Sequence, residues 1–356
     1  MSAVRAALEG LPEAGVRLFL AISGGGSRLI GRLCSVPGIS SVLCGATVPY
    51  AAEEMDEFLG FTPEKYCAAE TAVDLAERAY LQAWRPGSGA IGLGLTAVVA
   101  TRRPHRGTPR AFCAVITEQG ATLHSVELPP GTGFTDRDAD EARCERLGLD
   151  ALLSALGRDP IDGAQARAVP ADAIARARLL ARPFFGRDGR RLAARPDEVR
   201  TLFPGSFDPP HFGHVGMATA SARATGRPPA FCLTLHPPHK LPLSTAVALQ
   251  RVRQLRGQDV LISEGDPLYL DKGRRHPGCA FLMGADALDR MLDPRWCPVL
   301  PMLAEFDRLG TRFQVVGRAT APPAPFANVP QAFRHLFSEL PGRFDVSSTD
   351  LRRQTG

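Results

Sequence analysis

Short continuous apolar runs alternate along this chain with longer stretches of helical period. Residues 16–22 (VRLFLAI) suit a strand buried on both faces of a parallel sheet, and SGGGSRLIGRLCSV after them turns to helical spacing. Residues 69–84 (AETAVDLAERAYLQAW) predict an amphipathic helix, and residues 90–100 (AIGLGLTAVVA) a glycine-interrupted strand. AFCAVIT and ATLHSVEL, parted by EQG, predict a hairpin, and residues 139–157 a helix that stops at a glycine. These elements make one α/β domain over residues 1–157, an ordinary domain size. Residues 158–198, rich in Arg, Ala, Asp and Pro around the helical ADAIARARLLA, read as a linker. From residue 199 the strand candidates VRTLF, AFCLTL, AFLMG and RFQVVG alternate with helical stretches, which predicts a second domain over 199–356 with a doubly wound parallel sheet. The fold class is therefore α/β, with two domains.

Composition agrees and narrows the function. A length of 356 residues with 44% hydrophobic content supplies two cores. The formal charge of +5, from 42 basic against 37 acidic residues, suits phosphorylated small molecules and does not point to nucleic acid. Lysine is scarce: Lys65, Lys240 and Lys272 are the whole set. The eight cysteines show no C-x-x-C pair or zinc spacing, so no metal site is expected and the thiols read as reduced. The N-terminus lacks the apolar core of a signal peptide and no run reaches membrane-span length, which predicts a cytoplasmic protein with no membrane partner. A homo-oligomer is compatible with all of this.

The chemistry concentrates in FPGSFDPPHFGHVGM, residues 203–217, where a strand gives way to a helix. In a parallel sheet, ligands bind beyond the carboxyl ends of the strands, against helix N-termini. Gly205 and Ser206 let the backbone approach a ligand, and the helix starting near Phe212 directs unpaired N–H groups at an anion. His211 and His214, three apart, can face one phosphate chain and stabilise charge as an α-phosphate is attacked. Far downstream, VSSTDLR places Ser347, Ser348 and Thr349, all N-cap types, ahead of the charged fork of Arg352.

GSFDPPHFGH resembles the G-[ST]-F-[DN]-P-x-H-x-G-H signature of the nucleotidyltransferase superfamily, which includes cytidylyltransferases and mononucleotide adenylyltransferases, and VSSTDLR resembles its ISSTxIR element. HPPHK (236–240) and FLMGADALDRMLDPRW (281–296) are similar to the corresponding segments of nicotinate/nicotinamide mononucleotide adenylyltransferases. The resemblance implies a Rossmann-like domain with His211, His214 and Arg352 catalytic. It implies Gly205, Ser206, Phe207, Gly284, Asp286, Ser347, Ser348 and Thr349 around the nucleotide, with Lys240 and Trp296 at the acceptor. His211 counts against the phosphopantetheine branch, which carries threonine there.

The first domain resembles the nicotinamide mononucleotide deamidase domain found at the C-terminus of competence-damage-inducible proteins, across SGGGSRLIGRLCSVPGISSVLCGATVPYAAEEMDEFLG, AETAVDLAERAY and GLTAVVA. This implies an α/β sandwich of deamidase type in which Ser23, Tyr50 and Thr96 fall on family positions. Where that family has its partner lysine this chain has Met55, and a thioether cannot take a proton from a serine hydroxyl. A degenerate domain that binds or scaffolds is the expectation.

Together the two resemblances imply transfer of an adenylyl group from ATP to nicotinate or nicotinamide mononucleotide, with Mg2+ on the phosphates. The same motifs are compatible with a cytidylyltransferase-like enzyme acting on another phosphorylated acceptor, or with a non-catalytic nucleotide sensor.

Overall fold

The computed structural model describes residues 3–104, 107–161, 167–238, 241–317, 326 and 328–343. Two compact units emerge: Met1–Ala181 with Ser244–Arg253, and Arg182–Leu243 with Gln254–Gly356.

The first unit holds a six-stranded mixed sheet. Its strands are β1 (Val16–Ser23), β2 (Leu43–Thr47), β3 (Gly89–Ala97), β4 (Arg110–Thr117), β5 (Gly120–Glu127) and β6 (Arg167–Pro170), in the order β2-β1-β3-β4-β5-β6. β1 is parallel to β2 and β3, and the remaining pairs are antiparallel, with the β4–β5 hairpin closing at Thr117 opposite Gly120. Its helices are α1 (Ala3–Leu8), α2 (Arg28–Cys34), α3 (Ala52–Leu59), α4 (Ala69–Ala83), α5 (Gly133–Ala155) and α6 (Asp172–Ala181). β1 shows why helices cover both faces. Leu18, Leu20 and Ile22 enter a core with Leu29 of α2 and Leu147 of α5, while the alternating Ala21 meets Met55, Leu75 and Ala79 of α3 and α4. The glycines of β3 have a packing reason. A Cβ on Gly92 would stand 2.2 Å from the Tyr80 nitrogen, and one on Gly94 would stand 2.3 Å from the Ala72 oxygen, so only glycine lets α4 lie this close.

The segment read as a linker divides between the two units. β6 extends the first sheet, and α6 is tied to α4 by Arg178, whose Nη2 lies 2.6 Å from Oδ2 of the buried Asp74. The bidentate geometry of this pair fixes α6 as part of the unit. The next residues, β7 (Phe184–Phe185) and β8 (Arg191–Leu192), join the second sheet instead.

That second sheet is completed by β9 (Thr201–Gly205), β10 (Ala230–Thr234), β11 (Val260–Ser263), β12 (Ala280–Gly284), β13 (Arg312–Gly317) and β14 (Phe337–Arg343). The order is β14-β13-β12-β9-β10-β11-β7-β8, parallel from β14 to β11, with β7 and β8 antiparallel at one edge. Its helices are α7 (Phe212–Thr225), α9 (Tyr269–Arg275), α10 (Ala285–Met291) and α11 (Val299–Arg308), whereas α8 (Thr245–Gln254), although it lies between β10 and β11 in the chain, is grouped with the first unit up to Arg253. Gln250 of α8 donates to the Tyr80 hydroxyl at 2.9 Å. The parallel strands wind outward from β9 in both directions, so the strand order reverses between β9 and β12. Such a reversal leaves a crevice at the carboxyl ends of the two strands. Pairing there is short: only Thr201 with Ala280 and Leu202 with Phe281 are in register, and the strand ends beyond them separate. Among the described residues no helix is long and apolar enough to cross a membrane.

Candidate active site

The crevice at the β9–β12 reversal is a cleft of about 620 Å³. One wall is the loop from β9 to α7. Phe207 has φ 47, a left-handed conformation that costs a side chain energy, and it turns the ring back under the loop, where it is buried against Phe203 and Phe231 at ring-centroid distances of 5.3 and 5.0 Å. Gly205 is the complement of that turn, since a Cβ there would stand 2.6 Å from the Phe207 ring. The motif phenylalanine therefore supports the loop from below, while Gly205 and Ser206 line the cleft.

His211 is the N-cap of α7, and its backbone N–H donates to Nδ1 of His214 at 3.2 Å. With Nδ1 accepting, the neutral His214 carries its proton on Nε2. The two imidazoles stack with centroids 3.7 Å apart at 29°. Burial, and secondarily the neighbouring His211, pushes His214 down to about 4, and burial lowers His211 as well. Both rings are therefore neutral donors near pH 7, and Nδ1 of His211 is buried with no hydrogen-bond partner among the described residues. This arrangement suits stabilisation of phosphate charge by donors held in place, without a proton having to move.

The opposite wall comes from β12 and α10. Gly284 and Asp286 line the cleft, and Trp296, half-buried, borders it farther on. The structure thus brings Gly205, Ser206, Phe207, His211, His214, Gly284, Asp286 and Trp296 around one cavity. Lys240 and the late motif with Ser347, Ser348, Thr349 and Arg352 lie outside the described residues. Tyr269 and Lys272 also line the cleft, and no motif in the sequence pointed to them. Lys272 is 2% exposed, donates to the Asp266 carbonyl and lies 3.8 Å from that residue's Oδ1, so its ammonium is anchored in the wall. Its rarity as a lysine was the available signal. Among the described residues no group of three or more His, Cys, Asp or Glu could hold a metal ion.

The first unit's loop from β1 to α2 has a different character. Ser23 and Thr96 are register partners on β1 and β3, both buried. The Ser23 hydroxyl donates to the Pro49 carbonyl at 2.9 Å and the Thr96 hydroxyl to the Tyr66 carbonyl at 2.8 Å, so both hydroxyl protons are held by main-chain oxygens. Met55, in the position of the expected lysine, is 2% exposed within the core under β1. Tyr50 is 58% exposed, with its hydroxyl on Arg137. The glycines admit the protein itself: a Cβ on Gly24 would stand 2.0 Å from the Ala97 oxygen, and one on Gly25 would stand 2.6 Å from Val99. The Gly26 N–H, which an anion would otherwise seek, donates to Oε2 of Glu141 at 2.8 Å.

Residues 202–354 match a family model described as cytidylyltransferase-like. The probable nicotinate-nucleotide adenylyltransferase of Ruegeria pomeroyi is 31% identical over 196 residues, covering 46% of this chain and 89% of that protein. Its counterpart from Bacillus pumilus is 28% identical over 171 residues, covering 43% and 83%. Among solved structures, the competence/damage inducible protein of Agrobacterium tumefaciens is similar at 20% identity and a TM-score of 0.34, covering 44% of this chain and 94% of that one. With that family match lying over the β9–α7 loop and its cleft, and with 89% of a relative 31% identical to it covered, the chain belongs to the cytidylyltransferase-like nucleotidyltransferases.

Proposed function

We propose that the second unit transfers an adenylyl group from ATP to nicotinate mononucleotide or its amide, releasing pyrophosphate. The observation that carries this reading is the convergence on one cleft of the stacked His211–His214 pair, Gly284 and Asp286, and Trp296. A phosphate oxygen of the acceptor attacks the α-phosphorus of ATP, a new P–O bond forms, the bond from that phosphorus to the bridging oxygen breaks, and pyrophosphate carries away the charge. His211 and His214 donate to the phosphate oxygens from rings fixed by their stacking and by the α7 cap. The indole of Trp296 offers a flat apolar face for a pyridine ring. Two relatives named probable nicotinate-nucleotide adenylyltransferase support the choice of acceptor. Asp208 and Asp286, carboxylates in the cleft wall, would hold a Mg2+ brought in by the triphosphate, and its charge would offset that of the phosphates.

The first unit is read as a scaffolding remnant rather than a deamidase, supported by Ser23 being bonded to a carbonyl and by Met55 lying in the core. Pyrophosphate release tests the main reading: the full chain is supplied with ATP or CTP against a panel of nicotinate mononucleotide, nicotinamide mononucleotide and phosphorylated alcohols. Turnover with ATP and a pyridine mononucleotide is expected. Turnover confined to CTP would move the protein to the cytidylyltransferase branch, and nucleotide binding without turnover would make it a sensor.

A further inference from the structure

At the other end of the second sheet lies a pocket of about 430 Å³ lined by Arg200, Arg227, Arg312, Thr201, Thr225 and Gln314, with three small apolar residues between them. Arg200, Thr201 and Arg312 stand at the amino ends of β9 and β13, and Thr225 and Arg227 at the carboxyl end of α7. These elements meet the catalytic cleft at their opposite ends, so strands of five or six residues put the two cavities about 15 Å apart.

The lining is one-signed. Among the described residues three guanidinium groups contribute and no carboxylate does. Arg227 donates to the Glu198 carbonyl through one nitrogen, and Arg312 donates to the Thr311 carbonyl and pairs with Asp307 at 3.7 Å through the same nitrogen, which leaves donors on both forks. The buried polar group adds to this. Gln314 is 7% exposed and its Oε1 accepts from the Ser221 hydroxyl at 2.6 Å, so the amide group left over is the NH2, again a donor. A concave site with three arginine side chains at its edge and the NH2 of Gln314 inside it carries an excess of donors and positive charge that an anion with several acceptor oxygens offsets, and guanidinium forks match phosphate oxygens pairwise.

We propose that this pocket is a second ligand site, separate from the catalytic cleft, for a phosphate or diphosphate group, free or carried by a small metabolite. It does not depend on the adenylyl-transfer reading. The test is calorimetric titration of sodium pyrophosphate into the full chain carrying His211→Ala, which weakens the cleft as a competing site. One saturable site is expected to persist. Arg200→Gln and Arg312→Gln, each added to that background, should weaken it at least about tenfold, as the loss of a charge-assisted hydrogen bond does. The affinity should also fall steeply with added sodium chloride. Arg227→Gln, at an exposed position, serves as a third variant should either of the others lower the melting temperature. Absence of binding in the His211→Ala chain, or binding indifferent to the arginine substitutions, would overturn the proposal. Repeating the titration with inorganic phosphate and with ADP separates a bare anion from a nucleotide-borne one.

Discussion

Two loops in this protein are built from nearly the same ingredients: a parallel strand ends, glycines follow, and a helix begins. In the first unit, Gly24 to Gly26 are filled by Ala97, Val99 and Cys144, and the carboxylate of Glu141 accepts the N–H of Gly26. In the second, Gly205 yields to a single side chain, Phe207, which folds beneath the loop and leaves its upper surface to a cleft of about 620 Å³. A glycine loop becomes a site only when the space that it opens stays available to a ligand. The first loop spends that space on its own chain. The same contrast holds for the polar groups, because Ser23 and Thr96 are bonded to carbonyls while His211 retains a buried ring nitrogen with no partner among the described residues.

The strongest challenge to this contrast is His211→Ala. Removing one positioned donor should lower kcat for pyrophosphate release by about 10² to 10³, with a much smaller change in KM for ATP. Full turnover in that variant would strip the second loop of its assigned role.

Stability against pH probes the same histidines without substrate. The unfolded His214 imidazole titrates near 6.5 and the folded one at about 4, so between those values the unfolded state binds more protons. Unfolding free energy should therefore be level above pH 6.5 and fall as pH drops towards 4, by up to about 3 kcal/mol. His276, held at about 4 by burial and secondarily by Arg195, contributes to the same slope. Subtracting the profile of His214→Asn isolates the part due to His214. A difference profile that stays flat would mean the ring is not held neutral.

Trp296→Ala should raise KM for the pyridine mononucleotide by about three- to tenfold while leaving KM for ATP within about twofold, the scale of one aromatic stacking contact. An equal effect on both substrates would assign the indole to packing. The smallest effect belongs to the first unit. Ser23→Ala should leave adenylyl transfer unchanged within about twofold, and ammonia release from nicotinamide mononucleotide should be absent in both proteins. Ammonia release by the unsubstituted chain that Ser23→Ala abolishes would erase the contrast between the loops.

How much of this was legible depended on the range over which each feature is determined. The strand at 280–284 and the one at 312–317 were readable to the residue because each is a short apolar run between turn signals. The start of α7 at Phe212 followed from the proline-rich turn before it. By contrast β7 and β8 carry two residues each, too few for any period, and they exist because β11 offers an edge to pair with. Lys272 lines the cleft through its place on α9, which adjacent residues do not announce.

The sequence by itself determined the strand-turn-helix motif at residues 205–214, because the N-cap, the histidine spacing and the turn are set by neighbours within one helical turn. It also determined that Met55 cannot serve as a base, since that is a property of the side chain alone. Only the tertiary structure decided which glycine loop is open. Glu141 reaches Gly26 across 115 positions, and the β9–β12 reversal joins strands far apart in the chain, so packing rather than local pattern fixes what fills each loop.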